Sequence, residues 1–122
     1  MERQRFEELA KLAFDNLPDE LSQKMENVVV VVEDYPSNEV RRKMGSRGGL
    51  LLGLYEGVPL SRRGTHYGVY PVAPDKISLF QKNIEKVAGG EDETAAMIRD
   101  VLIHEIAHHF GMDEEQIRDA GY

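Results

Sequence analysis

The segment from Ala95 to Phe110 constrains this chain most, because it is apolar nearly all round and still carries a block of titratable side chains. Ala95, Ala96, Met97 and Ile98 are followed by Val101, Leu102 and Ile103, and Ile106, Ala107 and Phe110 continue the pattern. A helix with that distribution belongs inside a core. His104, Glu105, His108 and His109 lie within it, and burying such groups is costly unless they are paired or coordinate a metal. The residues therefore predict a buried helix with a polar site built into it.

The spacing says what kind of site. His104-Glu105-Ile106-Ala107-His108 reads HExxH. On a helix, positions i and i+4 lie one turn apart on the same face, about 6 Å between Cβ atoms, so two imidazoles there can converge on one metal ion. Glu105 is offset around the helix and can reach a water held by that ion and take its proton. Two ligands and a base from one helical turn are the arrangement of a zinc hydrolase that cleaves amide bonds. His109 points about 100° away from His108 and is expected to pack or hydrogen-bond on another face.

The chain continues to give HExxHxxGxxE from His104 to Glu114. Gly111 is expected to end the helix in a left-handed conformation, turning the backbone back towards the metal. Catalytic zinc takes three protein ligands and one water, so a carboxylate just past that turn is the expected third ligand. By register this is Glu114, with Asp113 as the alternative; each would also serve as a cap or first-turn acid of a last helix over 114–120. Asp100, one turn before His104, is either a supporting partner of that imidazole or a surface residue. His66, Tyr67 and Tyr70 are candidate oxyanion donors or plain packing residues.

Composition narrows the alternatives. At 122 residues the chain is read as one domain over 1–122, and it has no cysteine, so a metal must be held by His and carboxylate. The net charge of −7, with no basic run, argues against nucleic acid or an anionic membrane as partner. No stretch approaches the roughly 18–20 apolar residues of a membrane span. The start, MERQRFEELAKLAF, is a charged amphipathic pattern rather than a signal peptide, and a cytoplasmic location is expected.

The order of elements is that of an α+β fold. Phe6, Leu9, Ala10, Ala13 and Leu17 mark one face of a helix over 2–16 that Pro18 ends, with a short helix over 19–25 after it. The five valines Val28 to Val32 predict a central strand buried on both faces. Residues 38–44 form a helical turn and 45–49 a flexible link. Strands are expected over 50–57 and 77–81, with a long loop over 58–74 that is functional or mobile. The site helix begins near Glu91 to Thr94, capped by Asp92 or Thr94.

HEIAHHFG together with LLGLYEG resembles the small bacterial zincin-like metallopeptidases, minimal single-domain proteins once grouped as a domain of unknown function. The likeness runs from about Val28 to Glu115. It implies a zincin-like fold, with a small mixed sheet, a backing N-terminal helix and a buried active-site helix. It also implies His104 and His108 as metal ligands and Glu105 as base. The family pattern commonly has Asp or Ser where this chain has Glu114.

A zinc-dependent peptidase acting on peptides or unfolded protein is thus the leading expectation, with Zn2+ as cofactor. Only Met112 to Tyr122 follow Gly111, so the cleft should be shallow and open, and a substrate would pair with the strand at Ile77 to Gln81. The alternative is a degenerate zincin that binds peptide or protein without turnover. A structural metal site would need a fourth protein ligand.

Overall fold

Helix α1, Arg3–Asp15, forms where the sequence repeats apolar residues at three and four, and it buries Phe6, Leu9 and Ala10. Pro18 then starts the one-turn helix α2, Asp19–Ser22, which inserts Leu21 into the core. The computed structural model describes residues 1–45, 50–57 and 73–122. The expected link at 46–49 and most of the loop expected at 58–74, with His66, Tyr67 and Tyr70, lie outside the described residues.

Three strands form one mixed sheet: β1 (Val28–Glu33), β2 (Gly53–Glu56) and β3 (Asp75–Phe80), in the order β1-β3-β2. β1 runs parallel to β3 with Val30 opposite Ile77, and β2 runs antiparallel to it with Tyr55 opposite Ile77. The valine run is therefore not the central strand. Among the described residues β1 pairs on one side only, and Val29 is 42% exposed. The centre is β3, where Ile77, Leu79 and Phe80 are at most 1% exposed. Apolarity and β-branching report how well one strand suits a sheet, whereas position within the sheet depends on which partners lie on either side.

That order also corrects the expected place of substrate pairing. β3 has a neighbour on both edges and Gln81 already belongs to the next helix, so Ile77 to Gln81 offers no free edge. Among the described residues the strand with an outer edge near the site is β2.

Helix α3, Asn38–Met44, is capped by the Ser37 hydroxyl, which accepts from Val40 N at 3.1 Å. Helix α4, Gln81–Val87, follows β3 directly. Arg3 ties these parts together: its guanidinium donates to Gln81 Oε1 at 2.9 Å and to the Val32 carbonyl at 2.9 Å, and it pairs with Asp34.

Helix α5, Glu91–His109, is the long central helix. Its N-cap is Gly90 rather than Asp92 or Thr94; the Thr94 hydroxyl instead donates back to the Gly90 carbonyl at 2.8 Å. Glu91, Asp92 and Glu93 in its first turn suit the positive end of the helix dipole. Ile98, Leu102, Ile103 and Ile106 join the core with Phe6, Leu9, Leu21, Ile77, Leu79 and Ile84. The last helix, α6, spans Glu114–Asp119 and buries Ile117. Six helices and a three-stranded mixed sheet among the described residues make a small α+β fold with α1 backing α5. No helix among them is long and apolar enough to cross a membrane.

Candidate metal and catalytic site

The HExxHH run places two overlapping i,i+4 pairs on neighbouring faces of α5. His104 and His108 form the first, with ring centroids 6.3 Å apart. Glu105 and His109 form the second and turn towards β2. The imidazoles of the first pair are not buried in the core: His104 is 36% and His108 44% exposed. Burial, expected from the sequence, therefore does not force these two imidazoles to find a partner. The core side of α5 is filled by Ile98, Leu102 and Ile106, and the site face lies open.

What organises the imidazoles is the backbone. His104 Nδ1 lies 2.8 Å from the Asp100 carbonyl, and His108 Nδ1 lies 3.0 Å from the Met112 carbonyl. A carbonyl only accepts, so both Nδ1 atoms carry hydrogen and both Nε2 atoms face outwards. Asp100 thus supports His104 through its main chain rather than its carboxylate. Met112 is brought to His108 by the way α5 ends. Gly111 has φ +88, its N–H bonds to the His108 carbonyl at 3.0 Å, and Met112 N bonds to the Ala107 carbonyl at 3.0 Å. This is a Schellman turn, and it needs a residue that tolerates positive φ at Gly111.

The turn leads straight into α6. Asp113 caps it, its carboxylate accepting from Gln116 N at 2.8 Å while the Gln116 side chain accepts from Asp113 N. Asp113 is committed to that cap. Glu114, one residue on, faces both imidazoles: Oε1 lies 2.8 Å from His108 Nε2 and Oε2 lies 3.7 Å from His104 Nε2.

Two imidazole nitrogens thus face the two oxygens of one carboxylate. Neutral imidazoles protonated on Nδ1 would turn unshared pairs on Nε2 towards an anionic carboxylate, which is repulsive without a proton or a cation between them. Two imidazoles and a carboxylate are also the hard and borderline donors that zinc takes. Donors on tetrahedral zinc at about 2.0–2.1 Å stand roughly 3.3 Å apart. The gaps of 2.8 and 3.7 Å bracket that value. No three-membered ligand group is preformed among the described residues, since Glu114 is closed onto His108. Its side chain is 62% exposed, so no packing fixes it against His108. The donor set fits zinc.

Glu105 sits differently. Its carboxylate accepts from the backbone N–H of Tyr55 at 3.2 Å. Burial pushes its pKa above the ordinary carboxylate value, while the Tyr55 N–H and the nearby His108 and His104 act to lower it. A carboxylate so placed is better able to hold a proton for a moment than a solvated one. Beside it runs a groove of about 380 Å³ lined by Leu50, Leu51, Leu52, Gly53, Met97, Asp100, Val101, His104 and Glu105. Gly53 lets β2 come down on α5, as a Cβ there would lie 2.5 Å from Val101 Cγ1.

Sequence reasoning missed Tyr55 and Asp75. The Tyr55 ring stacks on His109 at 3.8 Å and 16°, and its hydroxyl donates to Asp75 Oδ2 at 2.8 Å. The glycine and tyrosine pattern of LLGLYEG is the only signal that could have pointed there.

A mixed sheet over a long helix that presents two imidazoles one turn apart, with a glutamate between them, defines a zincin-like protein. The chain belongs to the zincin-like metallopeptidase family, whose model matches residues 25–122. Its structure is similar to that of a conserved hypothetical protein from Thermus thermophilus, with a TM-score of 0.55 and 22% sequence identity over 89% of this chain and 94% of that one. That likeness is one of fold. No curated protein matches at a significant level.

Proposed function

We propose that the protein is a zinc-dependent hydrolase of peptide bonds, with His104, His108 and Glu114 as metal ligands and Glu105 as general base. The observation that carries this reading is the convergence of His104 Nε2 and His108 Nε2 on the Glu114 carboxylate, with Glu105 one position around the helix. Zinc, when bound, supplies a Lewis acid that makes water a nucleophile near neutral pH and polarises a carbonyl. The chain's residues supply the rest. Glu105 takes a proton from the attacking water and gives it to the leaving amine nitrogen, so one carboxylate serves both halves of the reaction. Backbone carbonyls of Asp100 and Met112 hold the imidazole tautomers.

The substrate is a peptide or an unfolded segment of protein. An extended chain would pair with the outer edge of β2, where Gly53 turns its backbone N–H and carbonyl away from β3 and Tyr55 its carbonyl, the Tyr55 N–H being held by Glu105. The exposure of the ligand residues makes the site shallow, which favours weak substrate binding.

The test is Glu105→Gln in zinc-loaded protein, assayed on casein and on a mixed peptide library. Hydrolysis is expected to fall by roughly 10² to 10⁴ with zinc stoichiometry unchanged. If neither wild type nor variant cleaves anything while both bind zinc, the chain is a binding module without turnover.

A further inference from the structure

The second i,i+4 pair on α5 is outside the proposed metal ligands, and it is anchored to the sheet. Glu105 and His109 both meet Tyr55, the first through the backbone N–H and the second through the ring. Tyr55 is fifty positions away from Glu105 in sequence and sits on β2. Its hydroxyl is fixed to Asp75, which is 8% exposed and opens β3. Its ring lies flat against His109, and Phe110 meets that imidazole edge-on at 5.0 Å and 90°.

Two glycines make this fit possible. Gly53 admits β2 to α5, and at Gly57 a Cβ would stand 3.0 Å from His109 Cε1. Gly53 in β2 and Gly57 just past its end thus leave room on either side of the Tyr55 ring. Among the described residues the Tyr55 N–H is the only hydrogen-bond donor that reaches the Glu105 carboxylate. Anything that moves the strand relative to the helix moves the base.

We infer that Tyr55 and His109 are positioning residues, a stacked pair that holds the Tyr55 N–H against Glu105 and so sets where the base carboxylate stands. The inference rests on Glu105 acting as the base. His109 does this without touching the metal ligands' Nε2 atoms: it clamps the strand from one turn further along the same face as Glu105. A base displaced by about 1 Å loses up to about a hundredfold in rate.

The experiment uses the full chain. His109→Ala, His109→Phe and Tyr55→Phe are compared with wild type for kcat and KM on a fluorogenic peptide library, for zinc affinity, and for the Tyr55 amide signal in ¹H–¹⁵N spectra of the metal-free protein. His109→Ala should lower kcat about ten- to a hundredfold, with KM and zinc affinity within twofold, and should shift the Tyr55 amide in the direction that Glu105→Ala shifts it. His109→Phe keeps a ring against Tyr55 and should recover most of kcat and of the amide position. Tyr55→Phe, which keeps the ring and loses the hydroxyl's bond to Asp75, should show a smaller change of the same sign. An unchanged Tyr55 amide in His109→Ala overturns the inference, and so does a loss of zinc affinity that His109→Phe fails to rescue. If the wild type hydrolyses nothing, the peptidase reading fails, and the amide signals still decide whether His109 holds Tyr55 on Glu105.

Discussion

Helix α5 carries the same interval on two of its sides with opposite results. Ile98, Leu102 and Ile106 recur every four residues and are fully buried; His104 and His108 recur every four residues and remain 36% and 44% exposed. Spacing determines which side chains share a face. Whether that face is covered depends on the elements that pack there, and α5 packs against α1, α2, β2, β3 and α4. The inner face should therefore govern stability and the outer face should govern chemistry.

The largest test of that division pairs one substitution from each face. Leu102→Ala removes a side chain with no exposed surface and should cost about 2–5 kcal/mol in urea unfolding. His104→Ala should cost less than about 0.5 kcal/mol in metal-free protein and yet abolish stoichiometric zinc binding. Comparable losses of stability from both would show that the site face is structural.

A finer test sits within two adjacent acids. Glu114→Ala should weaken zinc affinity about a hundredfold or more, because it removes one of the three proposed ligands, and leave thermal stability nearly unchanged. Asp113→Ala should do the reverse, costing about 1 kcal/mol through the lost cap of α6 with zinc affinity almost intact. Calorimetric titration with zinc and thermal melts on the same samples separate the two; the opposite ranking would make Asp113 the ligand.

The smallest effect concerns Glu105, which lies between the faces. Its folded-state pKa is raised mainly by burial, so the folded protein holds this proton more tightly than the unfolded chain does. The stability it contributes is complete below the ordinary carboxylate pKa and is lost as pH rises through the raised folded value. In metal-free protein Glu105→Gln should melt a few degrees higher than wild type at neutral pH, and the gap should close near about pH 4. A gap that stays constant with pH would mean that burial does not set the behaviour of this carboxylate.

What could be read from sequence was local. HExxH, the turn at Gly111 and the start of α6 all depend on neighbours within a dozen residues, and each lies where the residues placed it. The valine run was legible as a strand but not as the outer strand among the described residues, because its neighbour β3 lies more than forty positions away and is paired on both sides. The role of Tyr55 was illegible for the same reason: it follows from the register of β2 on β3 and from the height of β2 over α5. Helix α4 was hidden because it follows β3 with no intervening turn, so that Gln81, its first residue, reads as the end of the strand.

The Schellman turn at Gly111 and the cap at Asp113 have a consequence for the order in which the site assembles. Every donor that converges on Glu114, with the carbonyls that orient it, lies between Asp100 and Glu114, and His108 is only six residues from its carboxylate partner. The Tyr55 amide that holds Glu105 is fifty residues away. Closing the longer loop costs a flexible chain roughly 2 kcal/mol more than closing the shorter one. The donor cluster is thus a low contact-order unit that can form as soon as α5 does, whereas the base is seated only when β2 has docked. Under the proposed function, a chain caught midway through folding would have its metal donors together before Glu105 is in place, so that ion capture would precede competence for hydrolysis.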